Sequence, residues 1–211
     1  VAVRACQERV GGQKDPQKNP VQHLRADAVV VACGSYSAPL LRSVGLRVPI
    51  YPGKGYSATF ALRRPEAAPW VSTIDDAKKI AMSRLGDSLR VAGTIELSGW
   101  DLTLDSPLAQ ARCHMLARRI ETLSPGVCDT RLPHEGGQPQ FWAGLRPATP
   151  TNIPLIGATP LAGLWLNAGH GTLGWTHGAG SGRALAALMS GERPALSFRF
   201  LGESGVPPEL V

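Results

Sequence analysis

LWLNAGHGTLGWTHGAGSGRALAALM, residues 164–189, decides the fold. A short apolar run, Leu164–Ala168, reads as a buried strand. The glycine-rich turn GHGTLG, Gly169–Gly174, follows it. A helix is then expected from about 175 to 190, closed by Gly191 and Pro194. Gly169, Gly171 and Gly174 formally spell GxGxxG. Glycines let the backbone turn sharply and approach a ligand, and a helix start offers free N–H groups and partial positive charge. Three readings stand side by side. The loop could hold a dinucleotide pyrophosphate, it could be a glycine-rich turn without a ligand, or the helix start could face another part of a cofactor. The first reading needs a following strand that ends in an acidic ribose ligand. The later strand candidate, ALSFRF (195–200), runs into Leu201 and Gly202 before Glu203 is reached.

Toward the amino terminus, ADAVVVACG (26–34) is a continuous apolar run of the kind expected for a parallel strand buried on both faces. Ser35 is placed to cap the helix after it, and Gly45 to end that helix. VAVRA (1–5) is strand-like, GGQKDPQKNP (11–20) reads as a mobile turn, and ESGVPPELV (203–211) as a tail.

Between these ends the pattern changes. KGYSATFAL (54–62), VSTID (71–75), KIAMSRL (79–85) and LRVAGTIEL (89–97) alternate in part and are separated by turns, which predicts an antiparallel sheet. Ser106 and Pro107 supply N-cap and first-turn residues for a helix whose apolar stripe is Ala109, Cys113, Leu116, Ile120 and Leu123, stopped by Ser124-Pro125-Gly126. FWAGL (141–145) is a further strand, followed by the turn-rich RPATPTNIPLIG (146–157). The expectation is an α/β (α+β mixed) chain. Residues 1–47 and 146–195 belong to an incomplete Rossmann-like domain, 48–145 form an antiparallel-sheet domain with one helix, and 196–211 are a tail.

Composition narrows the function classes. With 43% hydrophobic and 18% charged residues over 211 positions, a packed core is feasible. No apolar run approaches the roughly 20 residues of a membrane span, and the start lacks the apolar core of a secretion signal. The net charge of +6 is scattered and the aromatics, 6%, stand apart from the basic pairs, so nucleic-acid binding is not expected. Cys6, Cys33, Cys113 and Cys128 make no CxxC pair, and reduced structural thiols in the cytoplasm are expected, with no metal site.

Two further constellations carry chemistry. In GLRPATPTNIPLIG (144–157), Arg146 closes a strand just before Pro147, which biases it to extended geometry. An arginine so held is suited to a bidentate carboxylate contact, or else satisfies turn carbonyls. In YPGKGYSATF (51–60), Lys54 and Tyr56 lie two apart and share one face of a strand. They read either as a cross-strand surface pair or as a hydrogen-bond donor beside a charge or base.

On these residues the chain resembles the FAD-dependent amino acid oxidase and dehydrogenase family, which includes D-amino acid oxidase and glycine oxidase, and most closely the small-subunit type of D-amino acid dehydrogenase. The resemblance rests on ADAVVVACGSYS (26–37), PIYPGKGYS (49–57), FWAGLRPATPTNIPLIG (141–157) and LWLNAGHGTLGWTHGAGSG (164–182), and spans about residues 26–195. It implies that Arg146 binds the substrate carboxylate, that Tyr56 lines the pocket, and that Lys54 lies nearer its entrance. Backbone groups of Gly171, Thr172, Leu173 and Gly174 would meet the flavin ring, beside Gly169 and His170, and Ala32, Cys33 and Gly34 would lie near the adenosine. Thr151-Asn152 departs from the family, many members of which have an aspartate after the proline.

The implied reaction is oxidative deamination of a D-amino acid to a 2-oxo acid and ammonia, with FAD as cofactor and a respiratory acceptor such as a quinone taking the electrons. A cytoplasmic location, free or peripheral at the inner face of a bacterial plasma membrane, goes with it. The family's early strand–GxGxxG–helix unit finds no counterpart in residues 1–25. The chain is therefore expected to be the carboxyl-terminal part of such an enzyme, to bind FAD weakly or not at all alone, and to lack a nucleotide-binding segment. The alternatives are a glycine- or sarcosine-type oxidase, a truncated non-catalytic remnant, and a subunit completed by a separate chain.

Overall fold

A computed structural model of the chain describes residues 2–5 and 22–202. The expected turn over 11–20, the tail 203–211 and Cys6 lie outside the described residues. In chain order, β1 (Ala2–Ala5) and β2 (Gln22–Arg25) form an antiparallel pair, and β3 (Val29–Val31) leads into α1 (Ser37–Arg42). There follow β4 (Tyr51–Ala61), β5 (Thr73–Asp75), β6 (Ile80–Leu85), β7 (Ser88–Glu96), α2 (Pro107–Leu123) and β8 (Gln140–Ala148). The series ends with β9 (Leu155–Ala158), β10 (Leu164–Ala168) and α3 (Gly174–Met189).

The chain divides into two compact units, one of residues Val1–Ile50 with Thr149–Val211 and one of Tyr51–Ala148. The divisions fall there because β4 and β8 pair without interruption from Tyr51 opposite Ala148 to Thr59 opposite Gln140. Arg146 consequently belongs to the sheet unit, where the sequence had suggested a boundary just before it. Pro147 does not end the strand. β8 is an edge strand, where a residue without an N–H is tolerated.

The sheet unit is antiparallel throughout, in the order β5-β6-β7-β4-β8. Alternation sets one face of it against α2. Tyr56, Ala58, Phe60, Ile80, Leu89 and Val91 pack on Ala109, Cys113, Leu116 and Ile120 of the helix. Ser106 caps α2 as its sequence predicts, its Oγ accepting the Ala109 N–H at 3.1 Å. Leu123, expected on the buried stripe, is 40% exposed because it closes the last turn, beyond the sheet. The β6–β7 hairpin turns on Gly86, at φ +59°. One register shift interrupts β4–β7: Lys54 pairs Glu96 while Tyr56 pairs Gly93, so β7 holds one extra residue there. Thr94 lies in this bulge at φ +59°, an uncommon conformation for a β-branched residue.

The other unit holds a three-stranded sheet, β3-β10-β9, parallel between β3 and β10 and antiparallel between β10 and β9. Val31, Leu41, Ile50, Leu155, Leu164 and Leu166 form one core cluster, and Ile156, Ala184, Leu185 and Phe200 another. Three local expectations are corrected here. The run 26–34 is not covered on both faces, since Val30 is 41% exposed. Ser35 does not stand at the N-cap of the helix after β3: a short 3-10 turn over Gly34–Tyr36 displaces the start of α1 to Ser37. The N-cap position falls on Tyr36 without a side-chain cap, and the Ser37 Oγ accepts the Cys33 N–H at 3.0 Å. Residues 195–200 form no strand, yet 198–201 are not a loose tail. Phe200 and Leu201 are buried, and the Leu201 N–H donates to the Ile156 carbonyl at 2.8 Å, close over Gly157.

Candidate active site

Arg146 stands on the face of the sheet opposite α2. Cross-strand partners share a face, so Arg146 goes with Gly53, and Leu145 with Lys54. A methyl group added to Gly55 would lie 2.5 Å from the Arg146 Cζ and 2.8 Å from its Nε and Nη2. The guanidinium therefore lies flat over Gly55, on a floor that only glycine permits. Its Nη1 donates to the Thr94 carbonyl at 2.5 Å, and the bulge in β7 is what turns that carbonyl toward it. Among the described residues no carboxylate pairs with Arg146. Burial pushes its pKa below the usual arginine value. This half-buried guanidinium is fixed by one carbonyl, and its remaining donors have the fork geometry that matches a carboxylate.

Lys54 and Tyr56 are on the other face, inside the core beneath α2, and the structure does not bring them to Arg146. Lys54 Nζ, fully buried, donates to the Thr103 carbonyl at 2.5 Å, with Asp101 Oδ2 at 3.9 Å and the Tyr56 ring centroid at 5.3 Å. The Tyr56 hydroxyl donates to Glu96 Oε2, and Arg112 Nε is 3.4 Å from the same oxygen. Burial first, then the Glu96 carboxylate, raises the Tyr56 pKa far above the ordinary phenol value. The two residues do share a strand face, as their spacing requires. That face is the core, where the ionic cluster ties β4 to β7, α2 and the 97–105 loop.

In the other unit, the two segments expected to hold cofactor emerge side by side. β3 and β10 run parallel with Val31 opposite Leu166, so Ala32–Gly34 and Gly169–Gly174 both leave from the carboxyl ends of neighbouring strands. That edge is where ligands of open α/β sheets bind. Ala32 and Cys33 are exposed, and Gly34 and Gly171 both hold φ +56° with no heavy atom within 4 Å of an added Cβ. Gly169, at φ +83°, has the Thr149 methyl 2.7 Å from such a Cβ, so glycine is required there for packing. No side chain caps the start of α3 and no acidic residue occupies its first turn. His170 Nε2 and Asn167 Oδ1 are buried without a hydrogen-bond partner. Burial, then neighbouring His177, lowers the His170 pKa below the ordinary imidazole value. Uncapped amides, an open glycine turn and orphaned polar atoms suit a bound ring with an electron-rich edge.

The family model described as "DAO: FAD dependent oxidoreductase" matches residues 2–188. The chain belongs to the DAO family of FAD-dependent oxidoreductases. Curated relatives of this DAO chain include a D-amino acid dehydrogenase of Dechloromonas aromatica (strain RCB), 49% identical over 180 residues, covering 85% of this chain and 41% of that protein. A D-amino acid dehydrogenase of Cereibacter sphaeroides (strain ATCC 17029 / ATH 2.4.9) is 46% identical over 185 residues, covering 87% of this chain and 40% of its own length. The chain thus spans about two-fifths of the length of these relatives. Among solved structures it is similar to iminodiacetate oxidase from Chelativorans sp. BNC1, with a TM-score of 0.69 at 27% identity over 83% of this chain and 46% of that one. Glycine oxidase from Geobacillus kaustophilus gives a TM-score of 0.67 at 25% identity over 83% and 44%. The mixed α/β fold with its antiparallel sheet is that of DAO-family flavoenzymes.

Three groups on the Arg146 side of the sheet were not singled out in the sequence. Gly55 and Gly144 are strand-interior glycines, a pattern that signals close approach of another group and could have been read as such. The Thr94 carbonyl left no sequence signal, because a bulge in β7 exists only relative to its partner strand.

Proposed function

We propose that the protein containing this chain oxidatively deaminates D-amino acids to 2-oxo acids and ammonia, and that Arg146 holds the substrate carboxylate. The observation that carries the reading is the uncompensated Arg146 guanidinium laid on Gly55 and tethered to the Thr94 carbonyl. Fixing the carboxylate at two points restricts rotation of the amino acid, and positioning of this kind contributes several kcal/mol to transfer reactions. Among the described strand residues, the Arg146 face of the sheet supplies no acid–base pair, which fits a neutral amine substrate whose own lone pair assists loss of the α-hydrogen. FAD, when bound, supplies the hydride acceptor. Gly171, Thr172, Leu173 and Gly174 would hold its ring through backbone N–H groups, with His170 beside them, and Ala32, Cys33 and Gly34 would lie along its adenosine side. The positive end of α3 favours negative charge at the ring edge it faces. This stretch alone is expected to hold FAD weakly, and a quinone is the expected electron acceptor. No helix among the described residues is long and apolar enough to cross a membrane. A location in the cytoplasm or at the inner membrane face goes with the quinone.

Similarity to glycine and iminodiacetate oxidases favours a second reading, an oxidase of small secondary or glycine-type amines. The test is a substrate panel on the full-length protein, with dye reduction and peroxide release measured together. Flavin absorbance with D-amino acid-dependent dye reduction and little peroxide supports the dehydrogenase. Peroxide formed from glycine or sarcosine supports the oxidase. A colourless protein that stays inert with added FAD overturns both and leaves a non-catalytic remnant.

A further inference from the structure

The sheet face that carries Arg146 carries a second cation. Arg90 of β7 pairs with Thr59, yet its Nη2 reaches back along β4 to donate to Ser57 Oγ at 3.1 Å. Arg146 pairs with Gly53, yet its guanidinium lies over Gly55. The two side chains therefore lean toward each other and end over Gly55 and Ser57, one two-residue step apart on the same strand, about 7 Å. Trp142 lies beside them. Its ring occupies the space above Gly144, 2.0 Å from where a Cβ would be, and the Arg90 Cζ is 5.7 Å from its centroid. Of the strand residues on this face, from Tyr51 to Ala61, Ser88 to Ala92 and Gln140 to Ala148 by alternation, none bears a carboxylate. Every acidic residue of β5 and β7, Asp75 and Glu96, is turned to the α2 side, where Arg119 and Arg112 meet it.

Two convergent guanidiniums, with no carboxylate among the described strand residues of their face, match a ligand with two carboxylates. From this geometry we infer that Arg90 is a specificity residue, which receives the side-chain carboxylate of a substrate whose α-carboxylate sits on Arg146. The favoured substrate class is then a 2-amino dicarboxylic acid of glutamate or aspartate length. The inference rests on the carboxylate role of Arg146 and adds the second anchor. Trp142 offers its ring face to the exposed Arg90 guanidinium and so biases where that side chain rests. Ser57, buried, fixes the hydrogen-bonding edge of Arg90 and leaves the remaining donors for the ligand.

The experiment is a calorimetric titration of glutarate and of pentanoate, equal in chain length, into the wild-type protein at low ionic strength, repeated with Arg90→Gln. Glutarate is expected to bind about fivefold more tightly than pentanoate, and the substitution to bring the two affinities together. Equal affinities in the wild type overturn the role of Arg90 while leaving that of Arg146 standing, and they do so whether or not the variant folds. A glutarate preference that survives Arg90→Gln also overturns it. Absence of binding by both acids overturns the Arg146 reading itself. In the full-length enzyme, the ratio of kcat/KM for D-glutamate to that for D-alanine is expected to fall with Arg90→Gln, and an unchanged ratio contradicts the inference.

Discussion

Gly55 and Arg146 are coupled tightly enough that either can be tested through the other. Gly55→Ala places a methyl group 2.5 Å from the Arg146 Cζ, and what must move is the end of a flexible side chain, not backbone. Folding stability should change by less than about 1 kcal/mol. A guanidinium displaced by about an ångström no longer presents both donors, and amino acid KM should rise by about 10- to 100-fold. Steady-state kinetics and a thermal midpoint on the same variant separate the two effects. A collapsed midpoint with unchanged KM would show that Gly55 serves packing only. That Arg146 is a held charge was legible in the sequence because GLRP couples it to a rigid proline; its role toward a substrate carboxylate is the proposal that these variants test. Lys54 and Tyr56 were legible as a same-face pair but not as core residues. Nothing local says which face of a strand an α-helix will cover.

At the scale of elements, α2 and the sheet are mutually dependent. The helix was readable down to its cap, because Ser106, Pro107 and the three- and four-residue apolar steps are local signals. Ser106→Ala removes the acceptor for the Ala109 N–H and should cost about 1 kcal/mol, measured by chemical denaturation. A change below about 0.3 kcal/mol would mean that the end of α2 is held by the sheet and not by its cap. The bulge in β7 was invisible beforehand, since LRVAGTIEL keeps an alternating pattern through Thr94. Its cost, a β-branched residue at φ +59°, is offset by a carbonyl directed at Arg146. The glycine loop after β10 could be read three ways. Its neighbour at the end of β3 favours the cofactor-facing one, because two parallel strands deliver both segments to one edge.

At the scale of the whole molecule, the alternation of chain between two units follows from pairing β4 with β8 across more than 80 positions of sequence. Buried thiols make its alkaline stability predictable. Burial, with Glu121 nearby, pushes the Cys128 thiol up to about 11 from an ordinary 9.0. Between those values the unfolded chain releases the proton and the folded chain keeps it, so stability is fully present below about pH 9 and falls as pH rises. The slope is at most about 1.4 kcal/mol per pH unit from this group. Cys128→Ala should flatten the decline of denaturation midpoints between pH 9 and 11, leaving a part due to Cys113, whose thiol is raised in the same direction. An unaltered slope would mean that the Cys128 thiol titrates normally. The central claim concerns one side chain. In the full-length, flavin-loaded enzyme, Arg146→Ala should lower kcat/KM for D-amino acids by at least about 100-fold, mostly through KM, with the flavin absorbance retained. An unchanged KM in a yellow, folded variant would contradict the account.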